Sequence, residues 1–103
     1  MAEKTPISAS EAAALVDNGA LLIDVRSLEG RTAAGELSDA TVVAKTDVAR
    51  FAEEVSTDAE IVVFCGTTAG SGPVVDWLDE HGYTNVQHVN GGYAALAEER
   101  AGR

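Results

Sequence analysis

The chain of 103 residues is 46% hydrophobic and carries 17 acidic against 7 basic residues, a net charge of −10. That length and apolar content fit one compact domain with one core, and the acid excess argues against nucleic acid or an anionic membrane as partner, since both require a basic face. No apolar run approaches the roughly 20 residues of a membrane span, and Met1-Ala2-Glu3-Lys4 lacks the basic start and apolar core of a signal peptide.

Residues 1–6 are expected to be a flexible start, 7–100 a single domain and 101–103 a tail. Ser8-Ala9-Ser10-Glu11 is a capping box, after which Ala12, Leu15 and Val16 recur at helical spacing until Asn18-Gly19. Residues 20–25, Ala-Leu-Leu-Ile-Asp-Val, are nearly continuously apolar, the pattern of a strand covered on both faces. Residues 26–39 are polar and without period, and read as a long loop. Thr41-Val42-Val43-Ala44 is a second strand. Thr46 or Asp47 then caps a helix whose apolar face is Val48, Phe51, Ala52 and Val55.

Ile61-Val62-Val63-Phe64 is a third buried strand, and it runs directly into Cys65 and the small residues that follow. Ser71 is placed to cap the next helix, with Pro73 in its first turn and Val74, Val75 and Leu78 inward, until Gly82 ends it. Val86-Gln87-His88-Val89 is the last strand, Asn90-Gly91-Gly92 a turn, and Tyr93 to Arg100 a closing helix with Leu96 and Ala97 inward. Strands alternating with helices predict an α/β three-layer sandwich, a mostly parallel central sheet flanked by helices. In such a fold sites form at the carboxyl ends of the strands, where Cys65 stands.

Cys65 is the one cysteine, so no intramolecular disulfide can form, and with only His81 and His88 beside it the chain has no metal-ligand spacing. A free thiol suits a reducing compartment, and the expected location is cytoplasmic. Cys65 is the candidate nucleophile. Gly66, Thr67, Thr68, Ala69, Gly70 and Ser71 form the candidate binding loop: small residues let backbone N–H groups turn inward toward a sulfur anion, and the three hydroxyls can add donors. No cofactor or metal is called for. His81, before Gly82, suits contact with helix-terminal carbonyls, His88 a structural or surface position, and Trp77 packing on the core or its rim.

The order helix, Leu-Leu-Ile-Asp-Val-Arg at 21–26, long loop, strand, helix, Ile-Val-Val-Phe-Cys at 61–65, loop, helix, His-Gly-Tyr-Thr-Asn-Val at 81–86 and Val-Asn-Gly-Gly-Tyr at 89–93 resembles the single-domain rhodanese-like proteins. The resemblance runs from Ile7 to about Glu99. It implies a sulfurtransferase with a persulfide-forming cysteine at Cys65. It further implies that Asp24 and Arg26 order the site, and that Gly91 and Gly92 pack close to the active loop. The implied partners are a small sulfur-containing donor, thiosulfate or a persulfide, and a thiol or cyanide acceptor; a protein carrying a persulfide is a further donor, and the chain itself is expected as a monomer or weak dimer.

Two departures shape the expected chemistry. Many relatives carry a basic residue in the loop, whereas residues 66–70 here are uncharged, and the usual Gly-His-Ile-Pro-Gly-Ala is replaced by Gly35-Glu36-Leu37-Ser38-Asp39-Ala40. Transfer from a persulfide is therefore expected to exceed transfer from thiosulfate. The alternative is a catalytically silent interaction module of the same fold. A phosphatase of the Cys-x5-Arg type would need a guanidinium where Ser71 stands, and a dithiol redox protein would need a second cysteine.

Overall fold

The computed structural model describes residues 5–102; residues 1–4 of the expected flexible start and Arg103 of the tail lie outside the described residues. The capping box forms as expected: the Ser8 hydroxyl accepts from the Glu11 N–H at 3.1 Å and the Glu11 carboxylate accepts from the Ser8 N–H at 3.3 Å. It opens α1, Ala9–Asp17, which closes on Asn18.

Four strands follow in a single parallel sheet: β1 (Leu21–Asp24), β2 (Thr41–Val42), β3 (Ile61–Phe64) and β4 (Val86–His88), in spatial order β2-β1-β3-β4. Leu21 pairs with Ile61 and Asp24 with Phe64, so β1 and β3 end level with each other. Ile7 adds a parallel bridge to Val89 just beyond β4. All four residues of β3 are fully buried, which explains why the apolar run is continuous rather than alternating.

Side-chain alternation divides the core. Ile23, Val25, Ile61, Val63 and Val86 pack with Val48, Ala52, Val74, Val75 and Leu78, the inner faces of α3 (Val48–Glu53) and α4 (Thr68–Glu80). Leu22, Val62, Phe64 and Val89 pack on the other side with Ala12 of α1 and Leu96 of α5 (Gly92–Ala101). These are the three layers expected, with burial of each large side chain contributing about 1.5–3 kcal/mol. Arg100 ties α5 to Asp17 at 2.9 Å and to Asp39 at 2.5 Å.

Three local expectations need correction. Residues 26–39 are not all loop: Leu28–Ala34 is a helix, α2, with the Ser27 hydroxyl accepting from the Gly30 N–H and Gly35 ending it at φ 102°. It buries none of its residues, so it has no apolar period to betray it. Second, the helix after Cys65 begins at Thr68 rather than near Ser71, because Thr67 takes the capping role; Pro73 therefore stands in its second turn. Third, Asp47 occupies the cap position of α3 without a side-chain bond, since a 3-10 turn at Lys45–Asp47 already leads into the helix.

Ile61→Ala is expected to lower stability by about 2–5 kcal/mol, the cost of a cavity in a closed core. Leu28→Ser, on the exposed surface of α2, should stay within about 0.5 kcal/mol. Urea unfolding of both variants measures the contrast.

Candidate active site at the strand ends

Parallel pairing brings the carboxyl ends of β1, β3 and β4 together, and with them Arg26, Cys65 and the turn at residues 90–92. Cys65 is half-buried. Only three residues, 65–67, separate β3 from α4, so four of the six expected loop residues belong to the first turns of the helix. Thr67 is extended (φ −136°, ψ 162°) and its hydroxyl accepts from the Gly70 N–H at 3.1 Å.

The thiol rests against that first turn. A Cβ added at Gly70 would stand 2.7 Å from Cys65 Sγ, closer than any side chain permits, so glycine here is what lets the sulfur approach the helix end. From the other side, Gly92 (φ 63°) presses its backbone on the loop: a Cβ there would lie 2.6 Å from the Cys65 carbonyl oxygen. The Tyr93 N–H donates to that same oxygen at 2.8 Å. Gly91 donates its N–H to the Thr68 hydroxyl at 2.7 Å, which joins the turn to α4. Gly92 thus packs on the Cys65–Gly66 backbone, and Gly91 reaches α4 through its N–H.

Ser71 lies elsewhere than its sequence position suggests. It is fully buried inside α4, its hydroxyl donating to the Thr68 carbonyl at 3.1 Å and paired at 2.9 Å with Nδ1 of His88, itself buried at the end of β4. One hydroxyl hydrogen given to Thr68 leaves Nδ1 of His88 as the donor in that pair. The two side chains brace the helix from beneath rather than facing the thiol. His81 meets the Trp77 carbonyl through Nδ1 at 2.7 Å and stacks on the Trp77 ring at 3.8 Å, away from Cys65.

Asp24 and Arg26 form a buried fork. Arg26 Nε donates to both Asp24 oxygens at 2.9 and 3.1 Å, and Nη2 to Asp24 at 2.7 Å and to the Gly35 carbonyl at 2.8 Å. The Tyr93 ring lies 4.0 Å from the guanidinium carbon and the Phe64 ring 5.6 Å. The hydrogen bond to Asp24 holds the guanidinium above its ordinary pKa, outweighing the burial that would lower it.

Beside the thiol opens a pocket of about 440 Å³. One wall is Arg26 with Ser27, Gly30 and Ala34 along α2; the floor is Cys65, Gly66 and Thr67; the facing wall is Tyr93 and Ala94 of α5. Sequence reasoning missed α2 as a wall, although Ser27 and Gly35 were its readable start and stop signals. A groove of about 260 Å³ between α3 and α4 is lined by Lys45, Thr46, Val48, Val74 and Trp77 among others, and Cys65 is not part of it. Among the described residues no group of three His, Cys, Asp or Glu side chains could hold a metal ion, and no helix is long and apolar enough to cross a membrane.

A free cysteine at the carboxyl end of a central parallel strand, set against a helix start, is the arrangement to which comparison then gives a family. The rhodanese-like domain family model matches residues 8–99, and the chain belongs to that family. It is 32% identical over 93 residues to the thiosulfate sulfurtransferase GlpE of Pseudomonas entomophila, covering 90% of this chain and 84% of that one. The GlpE of Pseudomonas fluorescens is 29% identical over the same shares. Human single-domain sulfurtransferase TSTD1 superposes with a TM-score of 0.74 at 25% identity, over 91% of this chain and 96% of that one. Reduced Bacillus anthracis CoADR-RHD superposes with a TM-score of 0.78 at 27% identity, and this chain, 94% covered, spans 18% of that longer one.

Asp24→Ala leaves the buried guanidinium without its anion and is expected to cost about 3–5 kcal/mol in urea unfolding at neutral pH. The pKa of Arg26 is raised on folding, so its contribution to wild-type stability is fully present below the ordinary arginine value and is lost only as pH rises through the folded value. The penalty of the variant should therefore not shrink between neutral pH and mild alkali.

Proposed function

We propose that the protein is a sulfurtransferase that carries sulfane sulfur as a persulfide on Cys65. The observation that carries the reading is the contact of Cys65 Sγ with the first turn of α4 at the floor of an open pocket. The first N–H groups of a helix have no intrahelical acceptor, and the positive end of the helix favours an anion. Thr67 occupies the Gly70 N–H, which leaves the amides of Thr68 and Ala69 for a charged sulfur. Membership of the rhodanese-like family and relatives named thiosulfate sulfurtransferase support the same reading.

The cycle balances without an oxidant. The Cys65 thiolate attacks the outer sulfur of the donor, a bond forms between Sγ and that sulfur, and the donor's S–S bond breaks to release sulfite or a thiolate. A thiol or cyanide then removes the outer sulfur and Cys65 departs as thiolate. Asp24, Arg26, Gly91 and Gly92 hold the loop for this, and Ser71 acts through the helix rather than on the sulfur.

Donor preference follows from charge. Among the described residues that line the pocket the one cation, Arg26, is bound to Asp24, and the net charge of −10 repels a dianion at long range. A persulfide, free or presented by a docked protein, is the better donor, and the reducing cytoplasm is the fitting compartment.

Intact mass after incubation with thiosulfate and, separately, with a low-molecular-mass persulfide tests the proposal. A gain of one sulfur, absent in Cys65→Ser and reversed by cyanide, is expected, with kcat/KM for thiosulfate lower than for the persulfide by about ten-fold or more. No gain from either donor, with Cys65 still open to alkylation, would instead identify a silent interaction module.

A further inference from the structure

Among the described residues four polar side chains are buried: Asp24, Arg26, Ser71 and His88. The fork accounts for the first two. Burying a hydroxyl and an imidazole costs free energy that an apolar pair of similar volume would avoid, so the second two need a reason of their own. Their bonds lead to the site. Nδ1 of His88 donates to the Ser71 hydroxyl at 2.9 Å, and that hydroxyl donates to the Thr68 carbonyl at 3.1 Å. The peptide group that carries this carbonyl carries the Ala69 N–H on its opposite edge. Thr67 caps α4, so Ala69 is the second residue of the helix and its N–H has no acceptor within it. N–H groups of a first turn point out of the helix end, here the end against which Cys65 Sγ rests.

Thr68 is held a second time, from the turn after β4. Its hydroxyl accepts from the Gly91 N–H at 2.7 Å and donates to the Asn90 carboxamide oxygen at 3.4 Å. The carbonyl and the side chain of this one residue are therefore tied by separate bonds, the first to β4 through Ser71 and the second to the turn.

We propose that His88, Ser71 and Thr68 form a hydrogen-bond chain that aims and polarises the Ala69 N–H toward the Cys65 sulfur, which makes all three positioning residues for the thiolate. This rests on the reading of Cys65 as the sulfur carrier. The bonds run in one direction, from imidazole to hydroxyl to carbonyl, so each donor is strengthened by the one before it, and the peptide that accepts the last bond becomes the better N–H donor. A donor to the charged form of a thiol favours that form.

Alkylation of Cys65 in the full-length protein by iodoacetamide, followed against pH, tests the chain and needs no sulfur donor. In Ser71→Ala and His88→Leu the rate at neutral pH is expected to fall about three-fold, the profile moving up by about half a pH unit while the plateau at high pH stays within about two-fold of wild type. His88→Asn keeps an N–H donor and loses the ionisable ring; it should restore the rate to within about two-fold of wild type, which separates the bond from any charge on the imidazole. Thr68→Val breaks only the tie to the turn, outside the buried pair, and should shift the profile in the same direction even if the buried variants fold poorly. Circular dichroism checks the fold of each. Profiles of Ser71→Ala and Thr68→Val that overlay wild type would overturn the proposal. So would a raised plateau with an unmoved midpoint, which is what loss of stability alone produces, or a shift in His88→Asn as large as in His88→Leu. A wild-type protein that shows these profiles yet never takes up sulfur would sink the proposed function and not the positioning chain.

Discussion

The Arg26 guanidinium joins the pieces from which the site is built. Its edge binds the carboxylate of Asp24 at the end of β1 and the carbonyl of Gly35 at the close of α2, while its face lies against Tyr93 of α5. Those three attachments place the two walls of the pocket on either side of Cys65. Buried ion pairs are weak sources of net stability, because desolvation offsets their attraction. What this one supplies is position: α2 buries none of its residues and has no apolar face of its own to dock it. The planar fork of arginine can meet a carboxylate, a carbonyl and a ring at once, and lysine could not.

How much could be read from the sequence depended on whether burial or contact was being read. The β3 run, the capping box at Ser8 and the inner face Val74, Val75 and Leu78 are written in apolar patterns, and they were legible because burial imposes those patterns locally. α2 was invisible for the complementary reason. It is held by a long-range bond from Arg26 to Gly35 and by its own cap, and neither leaves a period in the sequence. The start of α4 was misplaced because three hydroxyl residues, at 67, 68 and 71, all suit a helix start. Which of them caps is decided by tertiary partners: Thr68 serves the turn through Gly91, Ser71 serves His88, and Thr67 remains.

The candidate site was legible in its centre and not at its edges. Cys65 and the turn at Gly91 and Gly92 were readable from strand, turn and family pattern. That Gly70 admits the sulfur and Gly92 admits the backbone are facts of close approach, which glycine permits but does not announce. Tyr93 appeared only as the end of a motif, although its N–H holds the Cys65 carbonyl and its ring faces Arg26.

The same contacts decide what kind of anion the site can hold. A Cys-x5-Arg phosphatase grips a tetrahedral dianion with a guanidinium at the sixth position after its cysteine. Here that position is Ser71, turned inward on His88, and no charge reaches the pocket from it. The guanidinium that is present comes from the far side and is already neutralised by Asp24. The helix end against which the sulfur rests then remains, and it suits one delocalised negative charge better than two. The surrounding acid excess is screened over about 8 Å at physiological salt, so it weakly opposes a sulfur anion once formed while still slowing the arrival of a dianion. Both effects favour the singly charged persulfide proposed for Cys65 over a bound dianion.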